Sequence, residues 1–327
     1  MKQTVVRGIV LLITLNGILY SSCKKDLLHW AKVEQIHTET YDRLNDVYFI
    51  SDNIGYAVGG DRFQKATLLR TTDWGKSWKY YDFTQAGKGL YGINTSPSGK
   101  LYAIGFDGKM MSSIDKGDNW QFTQLDVWKE YKDIGFFNPN EGLAIGGISY
   151  NSGFIMHVDG NGKIQYWDSI KYELNDLAVA NATTAYIAGY GVIQKTVDKG
   201  KTWRIQNPVN DNFTALHLRT EQELWACGVA GSIYHTSDGG NNWYRQRNGK
   251  DITKPKYELH DIYFVDGQNG WAVGENGVII YSEDSGNNWS LFDKFTSETL
   301  RSITMAGDGT LVVVGDNGSI YRLHIKK

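Results

Sequence analysis

Proline is scarce, four in 327 residues, and cysteine is scarcer still, at two. A formal net charge of −2 leaves no basic surface of the size that nucleic acid as a main partner would need. The seven histidines (His29, His37, His157, His217, His235, His260, His324) stand singly with no ligand-spaced pair, so no metal is expected. The strings GENG and GDNG read as β-turns rather than phosphate loops, because no Lys-Ser/Thr and no helix follows them. No cofactor is expected. The apolar run at 8–20 is too short to span a membrane comfortably. What the chain does have is glycine (37), tyrosine (20) and tryptophan (11), a mix that suits many strands joined by glycine-based turns.

The first 22 residues are set apart from the fold. Lys2 and Arg7 precede the apolar run, and Ser21, Ser22 and Cys23 follow it. This arrangement resembles a bacterial lipoprotein signal. The resemblance implies lipidation of Cys23 as the first mature residue and a short tether at 23–28. An ordinary secretory signal with a free cysteine nearby is the alternative. With Cys23 lipidated, Cys227 is the one free thiol and no structural disulfide is expected.

From 29 to 327 the chain repeats itself. Seven runs share an apolar-x-x-apolar-x-apolar pattern, here called strand A: LNDVYF (44–49), LYGINT (90–95), YKDIGF (131–136), LNDLAV (174–179), FTALHL (213–218), LHDIYF (259–264) and LRSITM (300–305). Strand B follows a turn and ends on glycine in every copy, at Gly59, Gly105, Gly146, Gly189, Gly228, Gly274 and Gly315. Those runs are apolar on both faces, as buried strands are, and the glycine suits a positive φ or a close backbone approach. Strand C then leads into a Ser/Thr-x-Asp-x-Gly-x-x-Trp box, complete around Asp73, Asp115, Asp198, Asp238 and Asp284 and degenerate around Asp159. The carboxylate is expected to accept N–H bonds within its own turn, a structural task rather than a catalytic one.

The seventh copy has no box and no Trp. HWAKVEQI (29–36), with Trp30 in register, matches the missing strand D. The reading is an all-β, seven-bladed propeller of four-stranded blades, closed by the N-terminal strand completing the last blade.

These boxes and the L-x-D-I-x-F…G-W-A-V-G-x-x-G-x-I repeats resemble the photosystem II assembly and stability factors and the wider set of BNR/Asp-box propellers. The resemblance implies a propeller that binds protein partners, here as a bacterial envelope lipoprotein, outer-membrane or periplasm-facing. Asp boxes also occur in sialidases, which implies a glycan-active enzyme as the alternative. The arginine signature of that class is missing; its nearest string, Arg204-Ile205-Gln206, falls in an ordinary strand D. No catalytic residue is assigned.

In a propeller the D-to-A and B-to-C connections share one face. Those connections carry Tyr41, Arg43, Arg62, Phe63, Phe106, Trp128, Lys129, Tyr150, Tyr172, Tyr190 and Tyr257. Strand A's second position, at the mouth of the central channel, reads Asn45, Tyr91, Lys132, Asn175, Thr214, His260 and Arg301. The ligand-binding candidates are Arg62, Tyr91, Trp128, Lys132, Tyr150, Tyr190, His260 and Arg301, with Trp128 first because it lies outside every strand register. The expected ligand is a protein or a glycan, with the membrane touched through the lipid anchor only, no nucleic acid, and a monomeric chain.

Overall fold

The computed structural model describes residues 31–325. Cys23, Trp30, the signal at 1–22 and the tether at 23–28 lie outside them. Strands and tight turns make up the described chain, apart from three single 3-10 turns. Each repeat folds as a meander of antiparallel strands, with strand A innermost.

The expectation of seven separate four-stranded blades is corrected. Counted by hydrogen-bonded sheets, the ring has six blades, five of four strands and one of six. The wide sheet arises where two long strands, Ala185–Thr196 and Arg204–Leu218, run through positions at which the repeat pattern would divide them. Arg204–Leu218 pairs with Ala185–Thr196 as far as Asn212 and then, from Phe213 onward, with Leu224–Gly228. The connection between the fourth and fifth copies, NPVNDN at 207–212, stays paired in the sheet although Asn210 turns left-handed at φ 68°. Asp211, buried at the crossing, ties it to the fifth copy by accepting the Ala230 and Ser232 N–H groups at 2.8 and 3.1 Å.

Closure joins the two ends of the chain. Lys32–Ile36 pairs antiparallel with Ile320–His324, so the N-terminal segment forms the outer strand of the sheet that begins with Leu300–Met305. The first and last inner strands also touch, since the Val47 N–H reaches the Ser302 hydroxyl at 3.3 Å.

The core is distributed between sheets rather than gathered at a centre. Tyr102 and Met110 of one sheet pack with Tyr131, Phe154 and Met156 of the next, and Trp271 and Tyr281 pack with Leu300, Val313 and Tyr321. Strand B is buried on both faces throughout, as its unbroken apolar runs require. Its terminal glycine answers a close approach. Gly274 is extended, at φ −169°, and a Cβ there would stand 1.8 Å from the Glu258 carbonyl oxygen.

The box turns face the opposite end of the ring from the D-to-A connections. Asp73 shows their bonding: Oδ1 accepts the Ser77 N–H at 2.9 Å and the Thr71 hydroxyl at 2.8 Å, while Thr71 Oγ1 accepts the Gly75 N–H at 2.9 Å. Asp115, Asp198, Asp238 and Asp284 repeat the N–H contact four residues on, and Asp159 accepts from Asn161 and Lys163. Such bonds to the charged form hold Asp115 and Asp198 down to about 2, which makes them poor proton donors. The box tryptophan closes the turn, as where the Trp78 and Trp120 indoles donate to the Gly75 and Gly117 carbonyls at 3.1 Å.

Candidate functional site

A channel of about 640 Å³ runs through the ring, lined by the inner strands. Its mouth is formed by strand A's second positions, and several of these side chains bridge neighbouring strands. Asn45 Nδ2 donates to the Leu90 carbonyl at 2.7 Å, Asn175 Nδ2 to the Phe213 carbonyl at 2.8 Å, and the Thr214 hydroxyl to the Leu259 carbonyl at 3.0 Å. These three are engaged in holding the ring. Tyr91, Lys132, His260 and Arg301 complete the ring of second positions that lines the channel.

Their electrostatics differ. Arg301 grips Asp316 with both arms of its fork, Nε to Oδ1 at 2.6 Å and Nη2 to Oδ2 at 3.1 Å. His260 is pulled down to about 4 by burial and then by the Arg301 charge, so it is neutral at pH 7, and its buried Nε2 has no protein partner. Burial, with the Glu130 charge nearby, pushes the Tyr91 phenol up to about 12.

Beside the mouth lies a second hollow of about 570 Å³, lined by Tyr41, Arg43, Arg62, Tyr91, Glu130 and Lys132 among others. Glu130 is its organising group. The carboxylate is buried, with Lys132 Nζ 2.5 Å from one oxygen and Arg62 on the other. Lys132 also sits 4.6 Å from the Tyr91 ring centre. Arg43 completes the set, its pKa lowered first by burial and then by the Arg301 charge. Arg43, Arg62 and Lys132 thus share the hollow with three carboxylates, Asp42, Asp61 and Glu130, of which Glu130 is the buried one.

Tyr41 lines this hollow, and the other connections of this face present bare aromatic surface along the rim. Tyr41 is 88 % exposed, Trp128 68 %, Tyr150 64 %, Phe63 62 % and Tyr190 45 %. Tyr150 and Tyr190 lie ring against ring at 4.7 Å, Phe63 meets Phe106 edge-on at 5.2 Å, and the Arg62 guanidinium sits 4.8 Å from the Phe106 ring centre. Of the sequence-derived candidates, Arg62, Tyr91 and Lys132 therefore converge on one hollow. His260 and Arg301 line the channel beside it, and Trp128, Tyr150 and Tyr190 stand apart from both cavities on the rim.

One feature escaped the sequence reading. The third position of strand A, just below the mouth, holds half-buried Asp46, Asp133, Asp176 and Asp261. Each accepts the N–H of the residue after it and, through its other oxygen, an N–H of the next inner strand. The donors across the seams are Ile93, Leu177, Leu216 and Ile303 in turn. Burial raises all four carboxyls, Asp46 to about 6 and Asp261 to about 8. The recurrence of Asp at the third position of LNDVYF, YKDIGF, LNDLAV and LHDIYF was the available signal. Among the described residues no group of three or more His, Cys, Asp or Glu side chains is arranged to hold a metal ion.

Comparison with known proteins agrees with this architecture. Residues 206–281 match the family model described as photosynthesis system II assembly factor YCF48. The photosystem II assembly lipoprotein Ycf48 of Trichormus variabilis is 22 % identical over 223 residues, 65 % of this chain and 54 % of its own length. The chain thus spans about half the length of the curated relatives it matches. A solved structure described as YCF48 bound to D1 peptide superposes with a TM-score of 0.69 at 17 % identity, over 92 % of this chain and 98 % of that one. A streptogramin B lyase superposes with a TM-score of 0.72 at 13 % identity, over 90 % and 98 %. The chain is a β-propeller similar to the photosystem II assembly factors, and its fold neighbours include lyases.

Proposed function

We propose that this protein is a non-enzymatic, membrane-anchored propeller that binds a protein ligand, as an extended peptide, across the channel mouth. The observation that carries the reading is the hollow at the mouth where Arg43, Arg62 and Lys132 meet three carboxylates beside Tyr41, with further exposed aromatic rings along the rim. Aromatic side chains give a peptide large contact area at low entropic cost, and the cations favour acidic residues or a terminal carboxylate. The relatives named as assembly factors, and the one solved with a peptide, support a protein ligand over a glycan. Cys23 is the proposed lipid attachment point, as the relatives' lipoprotein names also favour. Strand Lys32–Ile36 starts beside His324, at the box end of the ring, so an anchored chain would present its mouth away from the bilayer.

The alternative, a glycan-active enzyme, requires carboxylates free to act as acid and base. The aspartates inside the channel are already occupied, since Asp46, Asp133, Asp176 and Asp261 bond main-chain N–H groups across the seams, and at the mouth Glu130 and Asp316 are paired with cations. The box carboxylates lie on the far side.

The test is binding of a labelled peptide array, with free and amidated C-termini, alongside a glycan array on the same preparation. Peptide binding that weakens about thirtyfold or more in Trp128→Ala, as at an interface hot spot, and falls in Arg43→Ala is the expected result. Glycan turnover, or peptide binding indifferent to both substitutions, would overturn the proposal.

A further inference from the structure

The carboxylates below the mouth are not equivalent. Each reaches forward to the next inner strand, where the residue in its own register is Gly92 for Asp46, Ala215 for Asp176 and Ser302 for Asp261. Those neighbours are small and uncharged. Asp133 instead meets Asp176, a second acid. The two converge on a single donor: the Leu177 N–H lies 2.8 Å from Asp176 Oδ1 and 3.1 Å from Asp133 Oδ2.

The same convergence occurs at the closing seam, with different chemistry. There the Val47 N–H lies 2.8 Å from Asp46 Oδ1 and 3.3 Å from Ser302 Oγ. The two oxygens are compatible because the Ser302 hydroxyl donates to Asp46 Oδ1 at 3.0 Å. Asp133 stands where Ser302 stands, without a hydroxyl. An ionised carboxylate accepts only, so two of them drawn to one N–H repel, and a proton on one turns that repulsion into a hydrogen bond.

We propose that Asp133 and Asp176 hold one proton between them, with Asp133 the carboxylic acid that donates to Asp176, and that this proton keeps the seam between Tyr131–Asn138 and Leu174–Val179 closed. Burial and the neighbouring Asp176 charge raise Asp133 well above the ordinary carboxylate range, in keeping with that assignment. The surrounding groups do not supply a substitute. Lys132, next along the strand, is taken up by Glu130 and lies 4.0 Å from Glu173. Tyr91 is protonated, Asp46 adds negative charge across the channel, Asp261, raised to about 8, is itself an acid at pH 7, and His217 is held neutral by burial. Cys227, behind the inner strands, is a buried thiol pushed up by burial, and Arg301 is committed to Asp316. Loss of the proton leaves two charges on one N–H, directly beneath Lys132 and Asn175 at the mouth. The seam is therefore a proton-dependent joint in the ring, closed at acid and neutral pH and loosened as pH rises.

The sign follows from linkage: a carboxyl raised on folding contributes stability at low pH that is lost as pH rises through its folded pKa. The test is carboxyl-carbon NMR of the full-length chain labelled at aspartate. At pH 7 one acid-form resonance is expected to vanish in Asp133→Asn and, in Asp176→Asn, to titrate at lower pH; the acid form of Asp261 remains in both. Asp133→Ser reproduces the Ser302 arrangement. Its folding constant should decline less steeply with rising pH, by up to the tenfold per pH unit that one proton contributes. Persistence of every acid resonance in Asp133→Asn, or an unchanged pH slope in a folded Asp133→Ser, would overturn the proposal.

Discussion

Glu34 and Arg322 join the two ends of the chain, with Arg322 Nη1 2.7 Å from Glu34 Oε2 on the neighbouring strand. Arg322 is nearly inaccessible, and its other arm reaches Asp308 Oδ2 at 2.6 Å while Nε donates to the Trp74 carbonyl at 3.1 Å. One guanidinium thus ties the N-terminal strand, a turn of its own sheet and the first box turn. Removing it leaves Asp308 without its cation and Glu34 with only Lys32 and His324 beside it. Arg322→Ala should lower stability by about 3 kcal/mol, the low end for a broken buried pair because both carboxylates keep some solvent. Glu34→Gln should cost about 1 kcal/mol or less. Urea unfolding measures both, and limited proteolysis should cut first near 31–36 in the arginine variant.

A methyl group at Gly274 is expected to be costly. Its Cβ would sit 1.8 Å from a main-chain oxygen that belongs to the adjoining inner strand, so the strands themselves would have to part. Gly274→Ala should destabilise by about 1–3 kcal/mol or more, as overpacked interiors do. Thermal unfolding checks it, and a midpoint equal to that of the unmodified chain would contradict the close-approach reading.

The pH dependence of stability should carry the signature of the carboxylates below the mouth. His217 and His260 are both pulled down to about 4, so they oppose folding increasingly as pH falls below about 6.5, where the unfolded histidines charge. Above that pH they are neutral in both states and drop out. Asp261, raised to about 8, favours the folded state at low pH and loses that contribution as pH rises through 8. Stability should therefore decline between pH 6.5 and 8.5, and Asp261→Asn should flatten the decline. Chemical denaturation at a series of pH values measures this, and an unchanged slope in the variant would contradict it.

Two tryptophans separate fold from function. Trp225 is fully buried, stacked on Phe264 at 3.9 Å, whereas Trp128 stands 68 % exposed on the rim. Trp225→Ala should cost about 3–5 kcal/mol. Trp128→Ala should stay within about 0.5 kcal/mol of the parent while losing the peptide ligand. Calorimetry beside the binding assay distinguishes them.

Much of the mouth was legible because the copies can be laid over one another. A position that varies among seven otherwise similar strands, as Asn45, Tyr91, Lys132 and His260 do, is free of the packing that makes its neighbours alike. Arg43 and Arg62 were legible as charged residues recurring in the connections of one face, and Trp128 as a departure from every strand register. Glu130 was not singled out, since its meaning depends on Arg62 arriving from 68 residues away. The aspartates below the mouth were not singled out either, since their meaning depends on the neighbouring inner strand: all four bond across a seam, and only Asp133 and Asp176 meet each other.

The sequence by itself determined the repeating strand order, the buried second strand with its terminal glycine, and the return of the N-terminal strand to the last sheet. These follow from local periodicity and from one copy lacking what another segment supplies. Only the tertiary structure decided that the fourth and fifth copies share one sheet, giving six sheets in place of seven, because a crossing tied down by Asp211 has no marker in periodicity. Only it showed that Asp133 and Asp176, 43 residues apart, meet on one N–H. Strand order is written in each repeat; which charged groups face each other is decided where repeats meet.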